Sequence, residues 1–208
     1  MASDSTAYAP TPRTRVRRLS QRGSYDRALV HSVLDEALVC HVGFVHEGQP
    51  YVMPTAFARL GETLYVHGAV ANRMLGALSG ADSICVTVTL LDGLVLARSA
   101  FHHSMNYRSV VALGPAREVT DETEKRRAFD ALVERCAPGR SREARAANPS
   151  ELRGTRVFAI ELLEVAAKTR QGPPLDDESD LAQPCWAGVI PLALERGTPV
   201  PDVPRDQR

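Results

Sequence analysis

Apolar and small polar residues alternate most regularly from Ser83 to Leu91. Ile84, Val86, Val88 and Leu90 project to one side, and Ser83, Cys85, Thr87 and Thr89 to the other. A period of two predicts a strand with one face in a core and one face lined by small groups, suited to a pocket wall or an interface. Upstream, Leu38 to His46 is almost continuously apolar and reads as a strand buried on both faces. Glu47-Gly48-Gln49 reads as a turn, Tyr51 to Arg59 as the return strand, Leu60-Gly61-Glu62 as a second turn and Thr63 to Gly68 as a third strand, so these three form a meander. After the alternating strand, Asp92-Gly93 between apolar runs predicts a hairpin. Tyr107 to Glu118 is another strand, with Gly114-Pro115 marking a bulge or an edge, and Arg156 to Lys168 is the last long one. Helical spacing appears in three places. One helix is capped by Ser24 and runs to about Ala37. A short one spans Asn72 to Ser79, and one capped by Thr120 runs from Glu122 to Cys136 and stops at Pro138-Gly139. Strands at short spacing, with helices inserted between them, predict a mainly β fold: an antiparallel barrel of six or more strands with flanking helices.

Composition narrows this picture. A chain of 208 residues with 44% hydrophobic content can bury one real core. Its formal net charge is zero and its pI about 7.0, so no global field favours nucleic acid or an anionic membrane. Charge is uneven, however. Arg13, Arg15, Arg17, Arg18 and Arg22 cluster near the start, where they are either solvated or placed to touch a phosphate or a partner subunit. Asp176, Asp177, Glu178 and Asp180 cluster near the end. Residues 1–20 are expected as a disordered or loosely attached arm, 21–170 as the barrel domain, and 171–208 as a tail packing on the barrel or on a partner subunit. The start lacks the apolar segment of a secretion signal. No stretch approaches eighteen apolar residues. Cys40, Cys85, Cys136 and Cys185 show no paired spacing, so reduced thiols and a cytoplasmic setting are expected.

Candidate chemistry concentrates at Tyr65-Val66-His67-Gly68-Ala69-Val70-Ala71-Asn72-Arg73-Met74, where a strand ends and a helix opens. Free N–H groups at a helix start, with an arginine beside them, form a phosphate pocket or an ordinary solvated turn. His67 stands at its mouth. The six histidines have no ligand spacing, so no metal site is expected: His41 and His46 diverge on one strand, and His102 and His103 are adjacent. Hydrolase, Walker and Rossmann signatures are absent. The run Ser104-Met105-Asn106-Tyr107-Arg108-Ser109 offers donors, acceptors and a flat face, suited to a polar aromatic ligand or to a polar entry into a strand. Trp186 sits in a proline-rich tail, as a staple or as a cover over a ligand.

The order of these features resembles the pyridoxamine 5'-phosphate oxidase-like split barrels that bind flavin mononucleotide, and is most similar to their nitroimidazole-resistance (Nim) reductase-like branch. The resemblance rests on Arg22-Gly23-Ser24-Tyr25-Asp26, Pro54, His67-Gly68-Ala69 through Asn72-Arg73, Ser104 to Val110 with Gly114, and Trp186-Ala187-Gly188-Val189-Ile190-Pro191-Leu192. It implies a homodimer with flavin mononucleotide (FMN) at the subunit interface. By that resemblance the phosphate lies against Asn72, Arg73 and Met74. The flavin ring lies along Met53-Pro54-Thr55 and Tyr65-Val66-His67-Gly68. The second subunit supplies Asn106, Tyr107, Arg108, Ser109 and Trp186. His67 stands near the reacting face as a proton donor or orienting group. Many relatives carry Ser-Arg-Lys where this chain has Asn72-Arg73-Met74, so Met74→Lys is expected to tighten binding. The implied activity is a flavin-dependent oxidoreductase acting on a small molecule such as a nitro-aromatic compound. The alternatives are a non-enzymatic FMN-binding protein and a haem-binding split barrel with a histidine ligand.

Overall fold

The computed structural model describes residues 5–79, 81 and 83–202. The chain divides into two compact units: residues 1–90 with 107–171, and residues 91–106 with 172–208. Ten strands occur: β1 (Gly23–Ser24), β2 (Val39–His46), β3 (Gln49–Leu60), β4 (Thr63–Ala69), β5 (Ile84–Leu96), β6 (Ser104–Gly114), β7 (Arg117–Glu118), β8 (Thr155–Glu161), β9 (Glu164–Arg170) and β10 (Gly188–Pro191). Among the described residues the α-helices are α1 (Arg27–Glu36), α2 (Arg73–Leu78), α3 (Glu122–Cys136), α4 (Arg140–Glu143) and α5 (Pro149–Gly154). The strands follow the order β1-β9-β6-β5-β2-β3-β4-β8-β7, with β10 on β5, and the pairings β1–β9, β9–β6, β5–β2, β2–β3, β3–β4, β4–β8, β8–β7 and β10–β5 are antiparallel.

The expected last strand is two strands. β8 ends at Glu161 and β9 begins at Glu164, yet five strands stand between them in the sheet order. In a flat sheet they would be about 29 Å apart at about 4.8 Å per strand. Two linking residues reach only about 11 Å, so the sheet curls until its two ends meet. Leu162 turns inward at this join and its N–H donates to Glu62 O at 2.8 Å, while Leu163 faces outward. The curled sheet encloses Val42, Phe44, Phe57, Leu64, Val66, Phe158 and Ile160, with α1 and α2 contributing Val30, Val33, Leu34, Met74, Leu75 and Leu78. A second, smaller cluster forms outside it, where Tyr65, Val157 and Ala159 meet Ala128 and Phe129 of α3.

Several expectations are corrected. β2 is not buried on both faces: Cys40, Val42 and Phe44 point inward while Val39 and Val45 are exposed. The α1 cap is Asp26, whose carboxylate accepts from Leu29 N at 2.7 Å, rather than Ser24. The α3 cap is Asp121, accepting from Glu124 N at 2.7 Å, rather than Thr120. In both cases a carboxylate at the helix start outcompetes a neighbouring hydroxyl, because it also carries charge that suits the helix dipole. Asp92-Gly93 makes no hairpin. β5 runs straight through it, and Gly93 lies opposite Pro191 of β10. A Cβ at Gly93 would stand 2.9 Å from Val189 Cγ1, so this glycine serves close strand approach instead of a turn.

The arm is also not loose. Tyr8 is 4% exposed, and its N–H donates to Tyr25 O at 2.8 Å. Its hydroxyl donates to Glu62 at 2.7 Å, and the same carboxylate holds Arg27 and, at 3.0 Å, His31. Burial pushes the Glu62 carboxyl up, but the Tyr8 hydroxyl, His31 and Arg27 outweigh it and hold it below its usual range. In the second unit, Arg98 donates from its backbone N at 2.7 Å and from Nη1 at 2.9 Å to Asp176, which ties the acidic run down.

Tyr8→Phe should therefore lower stability by about 1.5–3 kcal/mol, the range for a hydrogen bond to a charged group. The unfolding midpoint in urea measures this; an unchanged midpoint would mean that the arm adds nothing to the fold.

Candidate functional site

Strand alternation decides where the expected site residues go. Val66 pairs with Phe57 and points inward, so Tyr65 and His67 point outward from β4. Met53 and Thr55 lie opposite Val42 and Cys40, on the inward side of β3, whereas Pro54 and Ala56 share the outward side. The structure therefore does not gather His67 with Met53 and Thr55: they occupy opposite faces of one sheet.

His67 instead faces a cavity of about 450 Å³ beneath α3, α4 and α5, lined among others by Ala56, Phe129, Leu132, Val133, Cys136 and Ala147. The Phe129 ring meets the imidazole edge-on at 6.2 Å between centroids. His67 Nδ1 is buried without a hydrogen-bond partner. Among the described residues no hydrogen bond engages Nε2 either, which leaves Nε2 as the ring nitrogen that is not buried. Burial pushes the His67 pKa below its ordinary value, which keeps the ring neutral with a free lone pair near pH 7. An apolar cavity with one neutral imidazole is the donor set of a haem iron or another planar ligand that needs a single nitrogen. At the rim Arg145 pairs with Glu151 at 2.8 Å. The roof helices α4 and α5 were not foreseen. The signal for α5 is nevertheless present in Asn148-Pro149-Ser150-Glu151, a proline at the first helical position inside a capping box.

The helix-start group is partly as expected. Asn72 caps α2, its side chain accepting from Leu75 N at 3.3 Å, so its oxygen is already used. Arg73 is exposed and makes no ion pair. Met74 is 4% exposed and packs in the main core, so a lysine there would be buried and would not reach a phosphate. Gly68 pairs with Arg156 on β8. Arg108 is taken up by Glu36, with Nη2 to Oε1 at 2.8 Å, and Ser109 Oγ donates to Lys168 O at 3.1 Å. Tyr107 lies opposite Arg170 in the sheet. In the second unit, buried Asn106 donates to Gly172 O at 3.2 Å. Trp186 there is 63% exposed, its ring lying over Gly188. The same unit brings His102, Asp177 and Asp180 within 4.8 Å of one another, a grouping that sequence spacing did not reveal. His102 and Asp177 form an ion pair at 3.1 Å, which accounts for it.

A strongly curled antiparallel sheet, flanked by helices and with a one-histidine cavity on its outer side, defines a split-barrel protein of cofactor-binding type. The model of the family described as Pyridoxamine 5'-phosphate oxidase matches residues 26–169, and the chain belongs to that family. Among solved structures it is similar to the flavocytochrome Anf3 from Azotobacter vinelandii, at 42% identity and a TM-score of 0.88, covering 95% of this chain and 92% of the other. It is also similar to an FAD- and haem-binding protein from Mycobacterium smegmatis, at 36% identity and a TM-score of 0.83, covering 88% and 91%. A provisionally named 5-nitroimidazole antibiotic resistance protein from Bacteroides thetaiotaomicron shares the fold at 24% identity and a TM-score of 0.60, covering 70% and 85%. No functionally curated protein matches. Among the described residues no helix is long and apolar enough to cross a membrane.

Because desolvation alone lowers the His67 pKa, opening the cavity should raise it. Phe129→Ala admits water beside the ring and should move the His67 titration, followed by NMR, upward toward 6.5. An unmoved midpoint would show that the ring is not desolvated by this wall.

Proposed function

We propose that this chain is a flavin- and haem-binding oxidoreductase in which His67 is the axial haem ligand. The observation that carries this reading is the neutral, unpartnered imidazole of His67 turned into an apolar cavity. The relatives at 42% and 36% identity, a flavocytochrome and an FAD- and haem-binding protein, support it. Bound flavin exchanges electrons in one- or two-electron steps and bound haem in single ones; the protein supplies position, dielectric and access. Here Phe129, Leu132 and Val133 exclude water from the haem side, and burial keeps Nε2 of His67 available as a ligand. On the flavin side, Arg73 is the cation left for the phosphate, while Thr55 and the β3 backbone supply ring-edge hydrogen bonds. His67 is thus read as a haem ligand and not as a flavin proton donor. FMN is the flavin the resemblance implies; the mass of the flavin released from the purified protein distinguishes it from FAD.

The homodimer belongs to the same proposal. Val39 and Val45 of β2 and Val52 of β3 are 47%, 62% and 67% exposed on one outward face, an apolar patch that a second copy would cover. Light scattering at micromolar concentration should report two chains.

Purified protein, supplemented with haem if needed, should show both flavin and haem absorption. His67→Ala should lose the haem spectrum and keep the flavin one. A His67→Ala protein with an unaltered haem spectrum would remove His67 as ligand, and a wild type that takes up no haem would leave a flavoprotein only. Arg73→Ala should weaken flavin binding by about 1.5–3 kcal/mol, on the order of ten- to a hundred-fold, in a fluorescence titration. Equal curves would place the phosphate elsewhere.

A further inference from the structure

The arginine-rich arm is the feature that the proposed function leaves unused. Residues 13–18 lie across the outward side of β6 and β9 and enclose a groove of about 310 Å³. Its floor is apolar and small, with Val16, Val111 and Ala166; its rim is cationic, with Arg15, Arg17, Arg18 and Lys168. The arm is built to hold this shape. Thr14 is buried. The Tyr25 hydroxyl donates to Thr14 O at 3.2 Å and accepts from Val16 N at 3.0 Å. Thr11 donates to Glu164 at 2.7 Å, and Arg13 pairs with the same carboxylate. Val16 presses so closely on Gly23 that a Cβ there would stand 2.8 Å from Val16 Cβ. Leu19 closes the arm in the left-handed region, at φ 53°, a conformation that non-glycine residues rarely adopt.

Arg27, Arg59, Arg98, Arg108, Arg117 and Arg156 each hold a carboxylate. Among the described residues Arg15, Arg17 and Arg18 hold none, although they stand within four residues of one another. Arg73 also holds no carboxylate among the described residues, but in the groove three such arginines lie together. Lys168 Nζ donates only to the Arg18 carbonyl, at 3.3 Å. Like charges held side by side repel, and the repulsion is relieved by a bound anion; guanidinium groups match phosphate oxygens two at a time. The apolar floor beside that rim suits a flat base.

We propose that this groove binds a nucleoside diphosphate unit, its phosphates on Arg15, Arg17 and Arg18 and its base on Val16, Val111 and Ala166. The inference deepens the flavin reading by naming the phosphorylated ligand of the same protein. Two sources share this chemistry: the ADP half of a flavin dinucleotide, and the ADP half of a separate nicotinamide dinucleotide that serves as electron donor.

The test is calorimetric titration of ADP into the full chain, as purified and after removal of its flavin. The variants are Arg15→Ala/Arg17→Ala/Arg18→Ala and, as a single charge reversal, Arg17→Glu. ADP should bind the wild type, and adenosine at least ten-fold more weakly. The triple variant should lose at least ten-fold in ADP affinity while its unfolding midpoint stays unchanged, since all three arginines are exposed. Raising the salt concentration should weaken binding. Equal ADP binding by both forms of the protein assigns the groove to a separate dinucleotide. Binding by the flavin-free form alone, with the triple variant losing affinity for FAD but not for FMN, assigns it to the flavin itself. A chain that binds ADP through these arginines but no flavin in any form would sink the flavin reading and keep this one. No ADP binding to either form overturns the inference. So does equal ADP affinity in wild type and both variants, or adenosine binding as tightly as ADP.

Discussion

The rest of the fold follows from the two-residue join at Leu162-Leu163. It forces strands at opposite ends of the sheet order to stand side by side, and so converts a long antiparallel sheet into a closed surface with an inside and an outside. Once that surface exists, every strand residue acquires one of two environments by parity alone. Phe57, Leu64, Val66, Phe158 and Ile160 fill the inside, while Tyr65, His67, Val157 and Ala159 face outward against α3. The second cluster and the His67 cavity both come from that outward set.

Polar groups hold the surrounding pieces to this frame. Glu62 stands in the β3–β4 turn, where its carboxylate meets Tyr8, Arg27 and His31 while its carbonyl accepts from Leu162 N. One residue thus couples the arm, α1 and the β8–β9 join. Arg135 acts similarly for α3: its guanidinium donates to the carbonyls of Leu34, Asp35 and Ala37 at the end of α1, where unpaired carbonyls favour a cation. These are multiple hydrogen bonds made by one charged group, stronger per residue than scattered surface pairs such as Arg140 with Glu143.

The outward face holds open spaces because it is only partly covered. Helices α3, α4 and α5 cover His67 and leave a cavity; the arm covers Ser109, Val111 and Ala166 and leaves a groove; Val45 and Val52 stay exposed among the described residues. The first space is mostly apolar around the neutral His67 ring, with Asp130, Arg145 and Glu151 also on its lining, the second is lined with guanidinium groups, and the third is plain hydrocarbon. The same sheet therefore presents three chemically distinct surfaces, decided by what lies over each.

The sequence by itself determined the fold class, the β2-β3-β4 meander, the α2 start at Asn72-Arg73 and the span of α3, because these depend on local periodicity, turn residues and capping groups. The order of short motifs carried the family. It did not determine which residues share a site. Tertiary structure placed His67 opposite Met53 and Thr55, because strand parity is read only once register is known. It buried Met74, because α2 turns that side of its first turn into the core. It gave Arg108 to Glu36, residues far apart in the chain. It also split the stretch Arg156 to Lys168 at Leu162-Leu163, where Glu161-Leu162-Leu163-Glu164 holds no glycine or proline to signal a change of partners from β4 to β6. Local sequence encodes conformation; closure of the sheet decides adjacency, and chemistry follows adjacency.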